Sequence, residues 1–370
     1  MTRSSTPPFR ADHVGSLLRP LSLKKARLRF AAGEIDADRL RAAEDEAIAD
    51  AIRKQEAIGL MAVTDGEFRR AWWHFDFLEG LDGVAGFEPD HGIQFHGITT
   101  KARAVAVTGR LGFSTSPFLD HFRFTAAHTS RRAKQTIPSP SVLHFRGGRR
   151  LISELVYPDL DPFFADLAAA YKKAIRAFYD AGCRYLQLDD TVWGYLCSAS
   201  EREKTRERGD DPAPLPGIYA SVINAALADK PADMRVTMHI CRGNFRSTWI
   251  SEGGYEPVAE ILFNNVNVDG YFLEYDSDRA GGFEPLRFVP AGNKRIVLGL
   301  VTSKTGPLET QDAIKRRIDQ AMKYVALDQL CLSPQCGFAS TEEGNLLSED
   351  EQWAKLRLVV ETAQEVWGTL

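Results

Sequence analysis

The sequence predicts an α/β protein, and within that class a (β/α)8 TIM barrel. Its 370 residues contain eight short apolar runs that alternate with helical patterns, which is the order typical of a parallel barrel. No GxGxxG or Walker A loop follows any of these runs, so the doubly wound sheet is the weaker alternative. The eight predicted strands cover residues 12–16, 61–67, 134–137, 185–189, 236–241, 270–274, 296–301 and 330–332.

Amphipathic helices are predicted between and after these strands, where apolar residues recur every three or four positions. The predicted helical segments are 21–58, 163–181, 218–228, 310–325 and 349–366. A polar, glycine-rich and aromatic stretch from about residue 87 to 130 interrupts the pattern after the second strand. Within it, residues 101–107 alternate as an exposed hairpin would, so we predict a hairpin-like insertion. The whole chain, 1–370, is expected to form a single domain.

Composition and charge exclude several classes of protein. At 44% hydrophobic and 26% charged, the chain has enough apolar residues for a large core. Its net charge of −4 offers no basic field for nucleic acid, and the short basic stretch at 146–150 is interpreted as solvated loop charge. Neither a secretory apolar segment nor a membrane-length run is present, so we expect a cytoplasmic protein that binds neither membrane nor nucleic acid. The sequence is compatible with a homo-oligomer.

Five cysteines, an odd number in a long chain, indicate reduced thiols that are available for metal binding or catalysis. Cys241 lies two residues after His239 at a predicted strand end, so both side chains project to the same side. Glu274 ends the next strand and Cys336 follows the last one, and the strand ends of a barrel meet at one face. Such a set suits zinc better than magnesium or calcium, although a lone His-x-Cys pair is more often a packing feature.

Six motifs stand at or near the predicted strand ends. They are His-Val-Gly-Ser at 13–16, Asp-Gly-Glu at 65–67, Leu-Gln-Leu-Asp-Asp at 186–190, His-x-Cys-Arg-Gly-Asn at 239–244, Phe-Leu-Glu-Tyr at 272–275 and Ser-Pro-x-Cys-Gly at 333–337. In order and context they closely resemble the catalytic half of cobalamin-independent methionine synthase. The resemblance covers almost the whole chain, in a single-barrel form without that enzyme's N-terminal duplicate domain. It implies a bound Zn2+ ion with the ligands His239, Cys241, Glu274 and Cys336.

The resemblance also implies an activity, which is S-methyl transfer to homocysteine to give methionine. The methyl donor would be 5-methyltetrahydrofolate or a simpler compound. The family pattern assigns the amine of homocysteine to Glu67 and Asp189 and its carboxylate to Ser16. Asn244, in the motif of the first two zinc ligands, is also expected to bind substrate.

Further residues are expected to act on the methyl donor. Asp190 would relay a proton to the leaving nitrogen of a folate, and His13 is the second predicted catalytic residue. A flat pterin calls for aromatic stacking, for which Trp193 is the first candidate. Other aromatic residues just after strand ends are Trp72, Trp73, Phe75 and Tyr195.

One departure from the family pattern lies after the seventh strand. Where the methionine synthases have Asp and His, this chain has Val-Thr-Ser-Lys at 301–304, and Lys304 would suit an anionic group such as a sulfonate. Two alternatives therefore stay open. One is a thiol alkyltransferase similar to epoxyalkane:coenzyme M transferase, and the other is a zinc-stabilised binding protein whose site is closed by four protein ligands. The expected partners of the enzyme are a small-molecule thiol and a methyl or alkyl donor.

Overall fold

The computed structural model describes residues 6–370, which form the strands and helices of an α/β protein. The strands are β1 (Ala62–Val63), β2 (Asp82–Phe87), β3 (Gln94–Phe95), β4 (Ile98–Thr99), β5 (Ala104–Gly112), β6 (Arg132–Ala133), β7 (Gln135–Pro138), β8 (Tyr185–Asp190), β9 (Arg235–Ile240), β10 (Gly270–Glu274), β11 (Arg295–Val301) and β12 (Leu330–Pro334). The α-helices are α1 (Leu21–Ala31), α2 (Ala37–Ala57), α3 (Phe75–Leu78), α4 (Phe118–Ala127), α5 (Ser141–Gly147), α6 (Leu160–Asp180), α7 (Val192–Leu196), α8 (Ala199–Glu207), α9 (Leu215–Leu227), α10 (Glu256–Asn265), α11 (Gln311–Ala321) and α12 (Glu349–Trp367). Short 3-10 helices cover Gly148–Leu151, Asp278–Ala280, Glu284–Phe288 and Leu327–Gln329.

Six strands form one parallel sheet in the order β12-β11-β10-β9-β8-β7, so each strand pairs with its neighbour in the chain. Next to β12, Ala11 forms a parallel bridge with Leu332, and β6, just before β7, pairs in parallel with β1. The segments that follow Ala11 and β1 are also in contact, because the backbone N–H of Leu17 donates to the carbonyl of Gly66 at 3.0 Å. The α/β class is therefore confirmed, and the loops after these parallel segments lie at the same edge.

Three predicted elements near the N-terminus differ from the structure. The predicted strand at 12–16 is absent from the described residues, where the chain forms only the single bridge of Ala11 with Leu332 because it pairs with β12 at that one position. β1 has only two residues because the chain turns sharply after it: Asp65 Oδ1 accepts a hydrogen bond from the backbone N–H of Glu67 at 2.8 Å. The predicted helix 21–58 is two helices, α1 and α2. The second helix starts anew because the Asp36 side chain accepts a hydrogen bond from the backbone N–H of Arg39 and so caps its first turn.

The region of the predicted insertion contains antiparallel strands, but their pairing differs from the prediction. β2 pairs with β5, so the first strand begins at Asp82, and β3 with β4 forms a separate hairpin. Residues 101–107 lead into β5 and form no hairpin of their own, and α4 follows within the predicted range. Alternation along the sequence identified a strand but not its partner, since the partner is chosen by packing with distant residues.

Strands β8 to β12 are buried almost throughout, as expected for parallel strands that are covered by helices. The helices supply apolar faces to this core, and α6 buries Phe163, Leu167 and Tyr171 among others. Burial of each such large side chain contributes about 1.5–3 kcal/mol relative to exposure. Among the described residues, no helix combines the length and the hydrophobicity needed to cross a membrane.

Candidate functional site

Four side chains form a compact group, here called the metal cluster: His239, Cys241, Glu274 and Cys336. His239 and Glu274 lie at the ends of β9 and β10, Cys241 directly follows β9, and Cys336 follows β12. All four are buried, and one ligand atom from each lies within 4.8 Å of the others. The sulfur atoms of Cys241 and Cys336 are 3.6 Å apart. These separations allow one tetrahedral ion to contact all four residues.

The orientation of the ligands is fixed by hydrogen bonds from their other atoms. His239 Nδ1 lies 3.3 Å from the carbonyl oxygen of Phe272, and the buried Nε2 has no hydrogen-bond partner among residues 6–370. Glu274 Oε1 accepts from the backbone N–H of Arg242 at 2.9 Å, and Oε2 lies 3.1 Å from Arg279 Nη2. A buried nitrogen without a partner is costly unless a ligand satisfies it. Together with two sulfurs and a carboxylate, this nitrogen fits Zn2+.

Cys336 differs from the other buried cysteines in the direction of its pKa shift. The hydrogen bond from Cys241 lowers the pKa of the Cys336 thiol well below its usual range, and the same bond raises the pKa of Cys241. Burial raises the pKa of Cys183 to about 12 and that of Cys331 to about 11. Burial thus disfavours the thiolate at these two core positions, whereas the lowered pKa of Cys336 favours the thiolate form that binds metal ions.

A cavity with about 570 Å³ of empty space lies beside the metal cluster and has three of its ligands in the wall. This figure includes space that is open to solvent at the mouth of the cavity, and the enclosed part has about 40 Å³. Four residues that the sequence predicts to bind substrate also line the cavity: Ser16, Glu67, Asp189 and Asn244. The fold thus brings a candidate metal site and candidate substrate contacts into one space.

The cavity wall contains two buried acids. Glu67 Oε1 accepts from Thr136 Oγ1 at 2.7 Å and lies 3.3 Å from Arg70 Nη1. Asp189 Oδ1 accepts from Gln187 Nε2 at 2.7 Å. Burial, aided by the charge of Glu67, raises the pKa of Asp189 to about 7, and burial also raises the pKa of Glu67. Glu67 has a φ of 61°, a strained value for a residue other than glycine that often marks functional sites.

Ser16 and Asn244 are positioned by the loop that follows β12. The Ser16 carbonyl accepts from the backbone N–H of Phe338 at 2.9 Å, and its hydroxyl accepts from that of Ala339 at 3.3 Å. Asn244 Nδ2 donates to the carbonyl of Gly337 at 2.8 Å. A β-carbon at Gly337 would lie 2.0 Å from Ser16 Oγ, so only glycine permits this approach. Three loops distant in sequence are thereby locked together in the cavity wall.

Comparison with known sequences decides the family. The sequence model of the cobalamin-independent synthase catalytic domain matches residues 9–365. The chain belongs to this family. YxjH and YxjG of Bacillus subtilis, both described as uncharacterized proteins, are each 57% identical to it, over 97% and 98% of this chain and 95% of their own lengths. The methionine synthase of Pyrococcus abyssi is 24% identical over 88% of this chain and 84% of its own length.

Solved structures agree with this family assignment. A crystal structure from Listeria monocytogenes, presented as a candidate vitamin-B12-independent methionine synthase, shares 49% identity with a TM-score of 0.81, and the match covers 99% of this chain and 100% of that one. A B12-independent methionine synthase from Shewanella, solved with selenomethionine, shares the fold at 19% identity with a TM-score of 0.71, over 96% and 97% of the two chains. Family membership therefore indicates a methyltransferase domain of the cobalamin-independent methionine synthase type.

Two predicted catalytic residues of this family member lie outside the described cavity lining. Asp190 is fully buried and accepts hydrogen bonds from the Ser141 hydroxyl and from the backbone N–H of Val192 at 2.6 Å, so it caps the start of α7. His13 is 1% exposed, and its pKa is lowered to about 4 by burial and then by the charge of Lys134. The catalytic roles of Asp190 and His13 stay predictions.

Two predicted substrate residues also lie outside the described lining. Trp193 is fully buried in α7, and its indole nitrogen has no hydrogen-bond partner. Lys304 is 6% exposed, and its Nζ is buried without a partner. Burial raises the pKa of Glu274. The positive charges of Lys304 and then Arg279 lower it, and the resulting pKa lies below its ordinary value. The Lys304 charge therefore acts on the metal cluster.

The remaining lining includes a set of large side chains, here called the aromatic wall: Trp72, Trp73, His74, Phe95, Arg146, Tyr195 and Phe245. Trp72, Trp73 and Tyr195 are among the aromatic residues proposed from the sequence for stacking. Phe75 and Trp193, from the same set, lie outside the described lining. Position after a strand end was therefore a useful signal, but it does not tell which way a side chain points.

Four members of the aromatic wall were not found from the sequence. Phe95 from the β3-β4 hairpin packs against Phe245, with 5.3 Å between the ring centroids. No sequence signal places this hairpin over the cavity. Arg146 corrects the interpretation of residues 146–150 as solvated loop charge, because it lines the cavity at the end of α5. His74, the fourth, lies between two aromatic residues in the sequence and gave no separate signal.

Proposed function

We propose that this chain is a single-domain, zinc-dependent S-methyltransferase that converts homocysteine to methionine on a closed (β/α)8 barrel. The observation that carries the proposal is the metal cluster, because three of its four ligands lie in the wall of a cavity that also contains two buried acids. A thiol with an amine, such as homocysteine, matches both features. The family supports the class of reaction.

Zinc is the ion that the cluster fits, with His239, Cys241, Glu274 and Cys336 as its protein ligands. When bound, it would lower the pKa of a coordinated substrate thiol, which is near 8.5 in water, so that the sulfur is a thiolate at neutral pH. Glu274 is the best candidate for an exchangeable ligand. Both of its oxygens already accept hydrogen bonds, one from Arg279 and one from a backbone N–H, which reduces the charge available to a metal.

The two acids would orient the amino group of homocysteine. Asp189 is the stronger candidate because Glu67 already lies 3.3 Å from Arg70, whereas the described partner of the Asp189 carboxylate is the neutral Gln187. An ammonium group would stabilise the charged form of both acids, which burial disfavours. Ser16 would contact the carboxylate of homocysteine, and Asn244 would hold the neighbouring loop in place.

The transfer balances without a further reactant. The thiol releases its proton, its sulfur attacks the methyl carbon of the donor, and a sulfur–carbon bond forms. The bond between that carbon and the donor's nitrogen or sulfur breaks, and the leaving atom keeps the electron pair. A tertiary amine donor such as methyltetrahydrofolate leaves as the secondary amine with the proton that the thiol released. An onium donor leaves with a neutral sulfur or nitrogen atom, so its net charge falls by one, and the proton goes to solvent.

A second candidate is alkylation of an anionic thiol, as in coenzyme M alkyltransferases. Lys304 favours it, because its buried ammonium lacks a partner and lies close enough to act on Glu274. The two acids in the cavity oppose it, since they would repel an anionic thiol. A closed zinc-binding protein is disfavoured because three of the four ligands line a cavity.

The proposal is tested by incubating the zinc-loaded protein with homocysteine or coenzyme M. Each thiol is combined with methyltetrahydrofolate, a methylated sulfonium compound or epoxypropane, and products are identified by mass spectrometry. We expect methionine from homocysteine, and no methionine from the Cys336→Ser variant. Alkylated coenzyme M without any methionine would replace the proposal by the second candidate, and no product from either thiol would overturn both.

A further inference from the structure

Arg146 is an unusual cation in the cavity. Among the described lining residues it is the only lysine or arginine, and no described carboxylate lies within 4.0 Å of its nitrogens. Its Nε is buried without a hydrogen-bond partner, and the guanidinium lies 5.6 Å from the ring centre of Tyr195. Arg70 and Arg103, by contrast, pair with Glu67 and Glu79. An unpaired guanidinium in a ligand cavity indicates an anionic group on the ligand.

His74 provides a second, independent observation in the same wall. It is 1% exposed and lines the cavity, and within the part of the chain that the structure describes neither of its ring nitrogens has a hydrogen-bond partner. Its ring stacks on Trp73 and Phe75, with centroid distances of 4.4 and 3.9 Å. Burial, followed by the charges of Arg146 and Arg103, keeps the pKa of His74 well below its ordinary value. The imidazole is therefore neutral and offers one N–H donor and one acceptor.

The aromatic wall and the acidic part of the cavity thus differ in the groups that they can bind. Glu67 and Asp189 suit the ammonium of the thiol substrate, which leaves Arg146 and His74 without a role in thiol binding. One cation with one neutral N–H donor matches a single negative charge spread over two oxygens, as in a carboxylate. A phosphate group carries more charge and would call for additional cations.

We propose that Arg146 and His74 form a binding site for a carboxylate of the methyl donor. This inference rests on the proposed methyl transfer, and it adds the chemical class of the second substrate. The carboxylate would accept hydrogen bonds from two N–H groups of the Arg146 guanidinium and from the N–H of His74. The methyl-bearing part of the donor would lie against Trp72, Trp73 or Tyr195. Two kinds of donor share this chemistry: a folate with its glutamate tail, and a small onium acid such as a sulfonium propionate.

The test uses two pairs of probes that differ only in the part that carries the carboxylate. The first pair is 5-methyltetrahydrofolate and 5-methyltetrahydropterin, and the second is dimethylsulfoniopropionate and trimethylsulfonium. Binding to the zinc-loaded protein without thiol is measured through the fluorescence of Trp72 and Trp73, which line the cavity. The variants are Arg146→Met and Arg146→Lys. The control is Arg150→Met, which removes an exposed arginine that donates to the Glu207 carbonyl at 3.2 Å.

We expect the carboxylate-bearing member of one pair to bind the parent protein more tightly than its partner. Arg146→Met should weaken the binding of that member by roughly ten- to a hundredfold, because a charge-assisted bond is lost. It should leave the binding of the carboxylate-free member unchanged. Arg146→Lys should restore part of the loss, and Arg150→Met should have no effect. The pair that responds identifies the donor as a folate or a small onium acid.

Three results would overturn the inference: equal weakening of both members of a pair, no weakening of either, or no preference of the parent protein for a carboxylate-bearing probe. The test is separate from that of the proposed function because no homocysteine is present. Carboxylate-dependent binding without methionine formation would leave this site standing and remove the methyl transfer. Methionine formation together with unchanged donor binding in Arg146→Met would support the methyl transfer and rule out this carboxylate site.

Discussion

The metal cluster and the aromatic wall line the same cavity but come from different parts of the fold. The cluster is built from the ends of β9 and β10 and from the residue two places after β12, all in or beside the parallel sheet. The aromatic wall comes from the segment before α3, the β3-β4 hairpin, the end of α5 and α7, with Phe245 from the loop after β9. The sheet register positions the ligands at or next to strand ends, whereas loops vary more among relatives. We therefore expect the metal cluster to serve the reaction that the family shares, and the aromatic wall to determine which methyl donor binds.

The largest effect is expected from substitutions that remove a ligand from the metal cluster. Cys241→Ser and Cys336→Ser should each lose zinc and reduce activity by about a hundredfold or more, since loss of a direct ligand costs more than loss of a supporting contact. Metal content by mass spectrometry and methionine formation measure the effect. Cys183→Ser is the matched control, because Cys183 is equally buried but lies outside the cluster. Full zinc retention and activity in both cluster variants would remove the metal assignment.

The next effect separates thiol binding from metal binding. Asp189→Asn should keep zinc and raise the KM for homocysteine by roughly ten- to a hundredfold, because a charge-assisted bond to the ammonium is lost. Glu67→Gln should act in the same direction but more weakly, since Glu67 also pairs with Arg70. The control is 4-mercaptobutyrate, which lacks the amine and should be insensitive to both changes. Unchanged KM values for homocysteine in both variants would show that the acids serve another group.

A smaller effect is expected from the aromatic wall. Phe95→Ala should raise the KM of the methyl donor by roughly two- to tenfold through loss of one aromatic contact, and should leave zinc and the KM of homocysteine unchanged. Steady-state kinetics with each substrate varied separately would measure it. Phe87→Ala is the control, because Phe87 is an exposed phenylalanine of the same insertion. An equal rise in both KM values would mean that the hairpin holds the thiol site as well.

The smallest effect concerns Lys304. Because its ammonium acts on Glu274 and lies outside the described cavity lining, Lys304→Met should change the KM of homocysteine by less than about threefold and keep zinc. Parallel kinetics with coenzyme M provide the comparison. A large loss confined to coenzyme M would move the function toward alkylation of an anionic thiol.

The order of strands and the metal cluster could be predicted from the sequence, because strand ends of a parallel sheet meet at one edge regardless of loop detail. His239 and Cys241 share a side by the two-residue period of a strand, and Glu274 follows on the adjacent strand. Asp190 shows the limit of this reasoning. It also ends a strand, yet its carboxylate turns to cap α7, a choice made by the following backbone.

The aromatic wall was harder to predict because its members depend on loops whose paths are set by tertiary packing. The β3-β4 hairpin reaches the cavity through Phe95 on Phe245 and through a backbone hydrogen bond from His96 to Trp249, about 150 residues away in sequence. Arg146 lies in a basic run that is typical of a solvated surface. In the structure Arg146 lies at the end of α5, and this position brings its side chain to the cavity.

The most direct measurement for the central claim is X-ray absorption at the zinc edge, with and without homocysteine. We expect two sulfur ligands and two nitrogen or oxygen ligands in the free protein, from Cys241, Cys336, His239 and Glu274. Addition of homocysteine should give three sulfur ligands and one nitrogen or oxygen ligand, because the substrate sulfur replaces the Glu274 carboxylate. A coordination sphere that keeps two sulfurs at saturating homocysteine would contradict the account and favour a closed structural site.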